Sequence, residues 1–143
     1  MKYAIRYQSR GGNTRAVAEK MAEILGITVE TIDTPVNEKI GILFIGGGLY
    51  KWVLDEKLKE FLENINPEKI GKIIPFGTSG GQELVIKEIT KFAQNKGIKV
   101  DENKLCVKFG LKGHSWLGLK GGKLNAKQIK KIEDFTNDII KNN

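Results

Sequence analysis

Three glycine clusters, each standing between a short apolar run and a helical pattern, constrain the fold of this chain more than any other feature. Gly11 and Gly12 follow the run Lys2 to Tyr7, Gly46, Gly47 and Gly48 follow Ile40 to Ile45, and Gly77, Gly80 and Gly81 follow Ile70 to Phe76. Each instance reads as strand, glycine loop and helix. Strands that alternate with helices call for a parallel sheet with helices on both faces, joined by right-handed crossovers.

The remaining pattern completes that series. A helix over Thr14 to Leu25 carries Val17, Met21, Ile24 and Leu25 on one face and stops at Gly26, and a second strand runs from Thr28 to Ile32. Leu54, Leu58, Phe61, Leu62 and Ile65 mark a helix whose N-terminal acids, Asp55 and Glu56, suit the helix dipole. Val85, Ile86, Ile89, Phe92 and Ala93 mark another over Gln82 to Lys96, ended by Gly97. Ile98 to Val100 and Leu105 to Phe109 read as two pieces of a fifth strand, and Ile129, Ile132, Phe135 and Ile139 stripe a last helix capped by Asn125. Strands two and three are joined only by Asp33 to Lys39. Seven residues reach at most ~23 Å, and Pro35 discourages a helix, so an irregular crossover at the sheet edge is expected. The fold class is therefore α/β, a doubly wound five-stranded parallel sheet of order 2-1-3-4-5, and residues 1–143 are expected to form a single domain.

Composition narrows the function classes. The longest aliphatic or aromatic run is Ile42 to Ile45, far short of the roughly 20 residues of a spanning helix. One cysteine, Cys106, excludes an internal disulfide and a multi-cysteine metal site, and it reads as a buried strand thiol in a reducing, cytoplasmic setting. Of the net charge of +7, residues 104 to 143 supply +6, from nine Lys against Glu133, Asp134 and Asp138.

In a doubly wound sheet of this order, ligands bind beyond the carboxyl ends of the strands, between the first and third. That topology gathers all three glycine clusters around one crevice. The first reads Ser9-Arg10-Gly11-Gly12-Asn13-Thr14 at the mouth of a helix, an anion cradle of backbone N–H groups and side-chain donors. Its plainer alternative is an ordinary cap by Asn13 or Thr14. No Lys-Ser/Thr pair follows as in a nucleotide P-loop, and Lys51 stands where a dinucleotide fingerprint at Gly46-x-Gly48 needs its third glycine. Gly77-Thr78-Ser79-Gly80-Gly81 also fits a hydrolase nucleophile elbow, with Asp101 and His114 following in hydrolase order, but the chain is short for that fold. Ser79 reads more simply as a small loop residue, and His114 as a solvated one.

The pattern Tyr7-x-Ser9-x-x-Gly12-x-Thr14, with Ala18 downstream, resembles the phosphate loop of flavodoxins. The resemblance extends to Phe44-Ile45-Gly46, to Phe76-Gly77-Thr78 and to the Gly97 turn, and so covers nearly the whole chain; Arg6 departs from the usual apolar residue. It implies flavin mononucleotide (FMN), with the phosphate on Ser9, Arg10, Gly11, Gly12, Asn13 and Thr14. Gly46, Gly47, Gly48, Leu49, Tyr50 and Trp52 would clasp one side of the flavin ring, and Gly77, Thr78, Ser79, Gly80 and Gly81 the other. Tyr50 and Trp52 are stacking candidates, and Trp116, in the long loop Gly110 to Leu124, is a further one. A glycine peptide at 46 to 48 can rotate to offer N–H or C=O as the flavin changes protonation.

The implied function is a low-potential one-electron carrier between redox proteins, with no catalytic and no metal-binding residues. An FMN-dependent oxidoreductase acting on a small molecule, with the loop from Gly110 as a substrate wall, is the alternative. The basic C-terminal region departs from the acidic balance of flavodoxins and points to partners with acidic docking faces; nucleic acid and membrane are not expected, and a monomer is. Around the crevice, segments 8 to 16, 46 to 54 and 77 to 82 contain Arg10, Arg15 and Lys51 and no Asp or Glu. That balance is expected to ease addition of an electron to an anionic flavin.

Overall fold

A computed structural model describes residues 1–9, 12–47, 49–50, 53–78, 82–109 and 123–143, with backbone only for Leu49, Tyr50, Val53, Leu54, Gln82 and Glu83. Strand β1 spans Tyr3–Tyr7, helix α1 Asn13–Leu25, β2 Glu30–Thr31, β3 Ile40–Gly47, β4 Leu49–Tyr50, β5 Val53–Leu54 and α2 Glu56–Asn64. After a turn of 3-10 helix at Pro67–Lys69 come β6 Ile70–Thr78, α3 Gln82–Asn95, β7 Lys99–Val100, β8 Leu105–Val107 and α4 Ala126–Asn142. The main sheet is parallel, in the order β2-β1-β3-β6-β7, with β8 also pairing β6. With β7 and β8 taken as one interrupted strand, this is the expected 2-1-3-4-5 order.

The interruption has a local reason. β7 pairs Lys72 and Ile73, β8 pairs Phe76 to Thr78, and the break falls opposite Ile74 and Pro75. Proline has no N–H for a ladder, so a strand tolerates it where the pairing beside it lapses. Within the break, Asp101 donates its N–H to Ile73 O and its carboxylate pairs with Lys72 at 2.7 Å. Burial pushes the Asp101 carboxyl up, but hydrogen bonds from Lys72 and Asn103 and the Lys72 charge outweigh it and hold the group below its ordinary range.

Two cores sandwich the sheet. On one face Ala4, Leu43, Ile45 and Ile73 meet Leu58 and Leu62 of α2 and Val85, Ile89 and Ala93 of α3. On the other, Ile5, Tyr7, Ile42, Phe44, Ile74 and Phe76 meet Val17, Ala18 and Met21 of α1 and Ile132 and Ile139 of α4. The alternation along each strand is what assigns successive residues to opposite layers. Helix ends follow the sequence pattern: Gly26 and Gly97 adopt left-handed φ of 70° and 76°, Asp55 caps α2 through Lys57 N–H at 2.9 Å, and Asn125 forms a capping box with Gln128.

Residues 33–39 contain no helix and pass across β1, as the strand order requires. Arg6, the departure from the flavodoxin pattern, explains how so short a segment is held. It is 7% exposed and donates to the carbonyls of Thr34 at 2.8 Å, Ile5 at 3.0 Å and Pro35 at 3.3 Å, while Glu30 lies 3.1 Å from its guanidinium. Where a crossover helix would cover β1, an arginine binds the backbone of the connecting loop. Burial lowers the guanidinium pKa, against the attraction of Glu30 and Glu38.

Several boundaries differ from the sequence reading, among them the end of β8 at Val107 and not Phe109. β2 is two residues long, because only Glu30 and Thr31 pair with β1. β3 and β6 run on to Gly47 and Thr78, so Gly46, Gly47 and Gly77 belong to the ladder and not to loops. Leu54 lies in a small antiparallel pair, β4 with β5, ahead of α2. Cys106 on β8 is half-buried, on a strand that pairs only with β6 among the described residues.

Candidate functional site

The register brings the three glycine segments to one edge. Tyr7 pairs with Gly46, Gly46 with Phe76, Gly47 with Gly77, and Thr78 with Val107, so the carboxyl ends of β1, β3, β6 and β8 lie level. Ser9, Gly12, Asn13 and Thr14 follow the first of these ends. Arg10, Gly11, Gly48, Trp52, Ser79, Gly80, Gly81 and Trp116 lie outside the described residues, as do Lys51, His114 and the side chains of Leu49 and Tyr50.

At the first segment the chain turns through Gly12, whose φ of 91° is open to glycine and strained for other residues. Gly12 N–H donates to Ser9 Oγ at 3.1 Å, which closes the loop and leaves the Ser9 proton to donate elsewhere. Gly12, not Asn13 or Thr14, is the N-cap, and no side-chain hydrogen bond caps α1. The starts of α2, of the 3-10 turn at Pro67–Lys69 and of α4 are capped by Asp55, Asn66 and Asn125. No acidic residue stands in the first turn of α1, so its exposed N–H groups and positive dipole end meet no anionic side chain there.

Thr14 reaches inward. Its Oγ1 lies 2.9 Å from Thr78 Oγ1, and both residues are 3% exposed. This bond joins the start of α1 to the end of β6 across β3. Two hydroxyls carry two protons, and only one can lie between the oxygens. The other is buried with no acceptor among the described residues. An unsatisfied buried donor costs ~1–3 kcal/mol, so the pair favours an acceptor beside one of its two oxygens. The sequence places Thr14 and Thr78 at opposite ends of a ligand; it cannot show that they touch, because 64 residues separate them.

The glycines of β3 have packing roles. A Cβ on Gly46 would lie 2.2 Å from the Phe76 ring, and one on Gly47 2.6 Å from Leu58 Cδ2. Gly46 O also accepts Gln8 N–H at 3.0 Å. Peptide rotation at Gly46 would break that bond and the ladder, and Gly48 lies outside the described residues.

Comparison with known proteins follows the same geometry. No protein-family profile matches the sequence, and no curated protein does. Oxidised flavodoxin 1 from Bacillus cereus superposes with a TM-score of 0.75 at 18% identity, covering 99% of this chain and 98% of that one. The chain has a flavodoxin-like fold. A flavodoxin from the domain Archaea gives 0.74 at 18% identity over 99% and 98% of the two chains. A short-chain flavodoxin associated with a non-canonical PDU bacterial microcompartment gives 0.73 at 13% identity over 99% of each.

Within the flavodoxin-like fold, the hydrolase alternative loses its acid. Asp101 bonds to Ile73 O, five strand residues before Thr78, which puts it about 16 Å back along the sheet from the glycine edge, and its carboxylate is held by Lys72. Of the cations read around the crevice, Arg15 lies among the described residues, and Arg10 and Lys51 do not. Arg15 pairs with Glu19 at 2.7 Å, a contact that raises its pKa, and buried Asp55 stands directly after β5. Among the described residues no group of three His, Cys, Asp or Glu could hold a metal ion, and no helix is long and apolar enough to cross a membrane.

Basic residues gather at the same edge. α4 runs antiparallel to the strands: Gln128 Nε2 donates to Lys108 O at 2.6 Å and Lys131 to Cys106 O, beside the carboxyl end of β8. Lys108, Lys123, Lys127 and Lys131 are exposed around this corner, whereas Glu133, Asp134 and Asp138 occupy later turns of α4.

Proposed function

We propose that this chain binds FMN at the glycine edge and carries electrons between redox proteins. The observation that carries the reading is the buried Thr14–Thr78 hydroxyl pair, whose second proton needs an acceptor beside a helix start that no side chain caps. A phosphate at the N-terminus of α1 supplies that acceptor and takes the first-turn N–H groups as well. Ser9, Arg10, Gly11, Gly12, Asn13 and Thr14 would hold it. The segments Gly46, Gly47, Gly48, Leu49, Tyr50 and Trp52, and Gly77, Ser79, Gly80 and Gly81, would flank the ring, while the Thr78 hydroxyl turns to Thr14 at the phosphate end. Bound flavin supplies the capacity to accept and release electrons singly. The flavodoxin-like fold supports the same cofactor.

The exposed lysines around β8 and the start of α4 favour a redox partner that presents an acidic face at this edge, because complementary charge raises the rate of encounter.

Titrating FMN into the apoprotein while following flavin fluorescence tests the reading. Saturable one-to-one binding is expected, weakened in the Ser9→Ala/Thr14→Ala double variant by several kcal/mol, at about 1.5–3 kcal/mol for each charge-assisted hydrogen bond lost. Absence of binding, or equal affinity of wild type and variant, would overturn it.

A further inference from the structure

The hydroxyl pair also assigns a direction. Either oxygen could donate on distance alone, but the two arrangements differ in what they offer an anion. If Thr14 donates to Thr78, Thr14 presents only lone pairs to the helix mouth, and the Thr78 proton is left in a site 3% exposed with no acceptor among the described residues. If Thr78 donates to Thr14, the Thr14 proton is released toward the N-terminus of α1, where the first-turn N–H groups already favour negative charge. Resting on the phosphate-binding reading above, we infer that Thr78 is a positioning residue: it donates to Thr14 Oγ1 and thereby turns the Thr14 hydroxyl into a phosphate donor.

Thr78 is well placed to hold such an orientation. It is the last residue of β6 and is paired with Val107, and its backbone is therefore fixed by the sheet. With its side chain committed to Thr14, its hydroxyl serves the phosphate end of the site and not the ring. The end of β6 thus acts on the phosphate end of the site through Thr14, by a hydrogen bond that crosses β3.

Selectivity between FMN and riboflavin, which has the same ring and no phosphate, separates this role from ring contact or a general loss of stability. Apoprotein of wild type, Thr78→Val and Thr78→Ser is titrated with both flavins, and melting temperatures are recorded in parallel. Valine keeps the shape of threonine without its hydroxyl; should it fail to fold, Thr78→Ala serves. Thr78→Val is expected to weaken FMN about tenfold and leave riboflavin unchanged, Thr78→Ser to restore FMN, and Thr78→Val to cost nothing further in a Thr14→Val background. Equal losses for both flavins, unchanged FMN affinity, or additive losses with Thr14→Val would overturn the positioning role while leaving the phosphate site intact. Wild type that binds the two flavins equally would instead overturn the phosphate-binding reading, and this inference with it.

Discussion

Replacing Gly46 by alanine tests whether β3 ends in glycine because of its neighbours in the core. The added Cβ would lie 2.2 Å from Phe76 Cε2 and Cζ and 2.6 Å from Cδ2, whereas carbon atoms rest about 3.5–4.0 Å apart. The ring must therefore retreat by more than ~1.3 Å, and it is fully buried between the sheet and its helices. Overpacking costs typically ~1–3 kcal/mol, and a ring with no solvent to move into belongs at the upper end. For 143 residues the unfolding entropy is about 300 cal/mol/K, so ~3 kcal/mol lowers Tm by about 10 °C. Phe76→Leu alone removes part of the ring and costs about 1–2 kcal/mol, but it also clears the space that the new Cβ needs. Denaturant unfolding of wild type, both single variants and the double variant gives the coupling directly. The double variant is expected to be more stable than the sum of its parts by ~1.5–2 kcal/mol. Strict additivity, or a Gly46→Ala protein as stable as wild type, would refute the packing argument and return Gly46 to the ligand.

Other expectations follow from single contacts. Arg6→Leu should cost about 2–3 kcal/mol, with faster amide exchange at residues 36–39, and Arg6→Lys should not restore it, because one ammonium cannot span three carbonyls; unchanged exchange there would contradict the account of the crossover. Asp101, with its carboxyl pKa held low, stabilises the fold above the ordinary carboxylate value of ~3.9 and loses that contribution as pH falls through its lower folded value. Asp101→Asn should therefore lower stability at neutral pH and flatten its decline below about pH 4, measured by denaturant midpoints across pH; a parallel decline in both proteins would argue against the Lys72 pair. A Lys108→Glu/Lys127→Glu/Lys131→Glu protein should associate more slowly with an acidic redox partner, and the salt dependence of that rate should shrink. Stopped-flow rates at low and high ionic strength test this, and an unchanged salt slope would move docking elsewhere.

Much of the fold was legible because its signals are local. Glycine between an apolar run and a helical stripe marks each strand-to-helix turn, Gly26, Gly97, Asp55 and Asn125 mark helix ends by backbone chemistry that acts within a few residues, and the shortness of Asp33 to Lys39 excludes a helix by reach alone. The first segment was legible as a glycine turn into a helix for the same reason. What the tertiary structure decided is which distant atoms share a space. That Gly46 and Gly47 lack side chains for the sake of Phe76 and Leu58, that Arg6 is the support of a loop in place of a helix, and that Thr14 and Thr78 share a proton all depend on strand order and register. A sequence states residue types and short-range spacing, whereas packing and hydrogen bonding act over a few ångströms in space between residues that stand dozens apart along the chain; only the folded sheet brings those distances together.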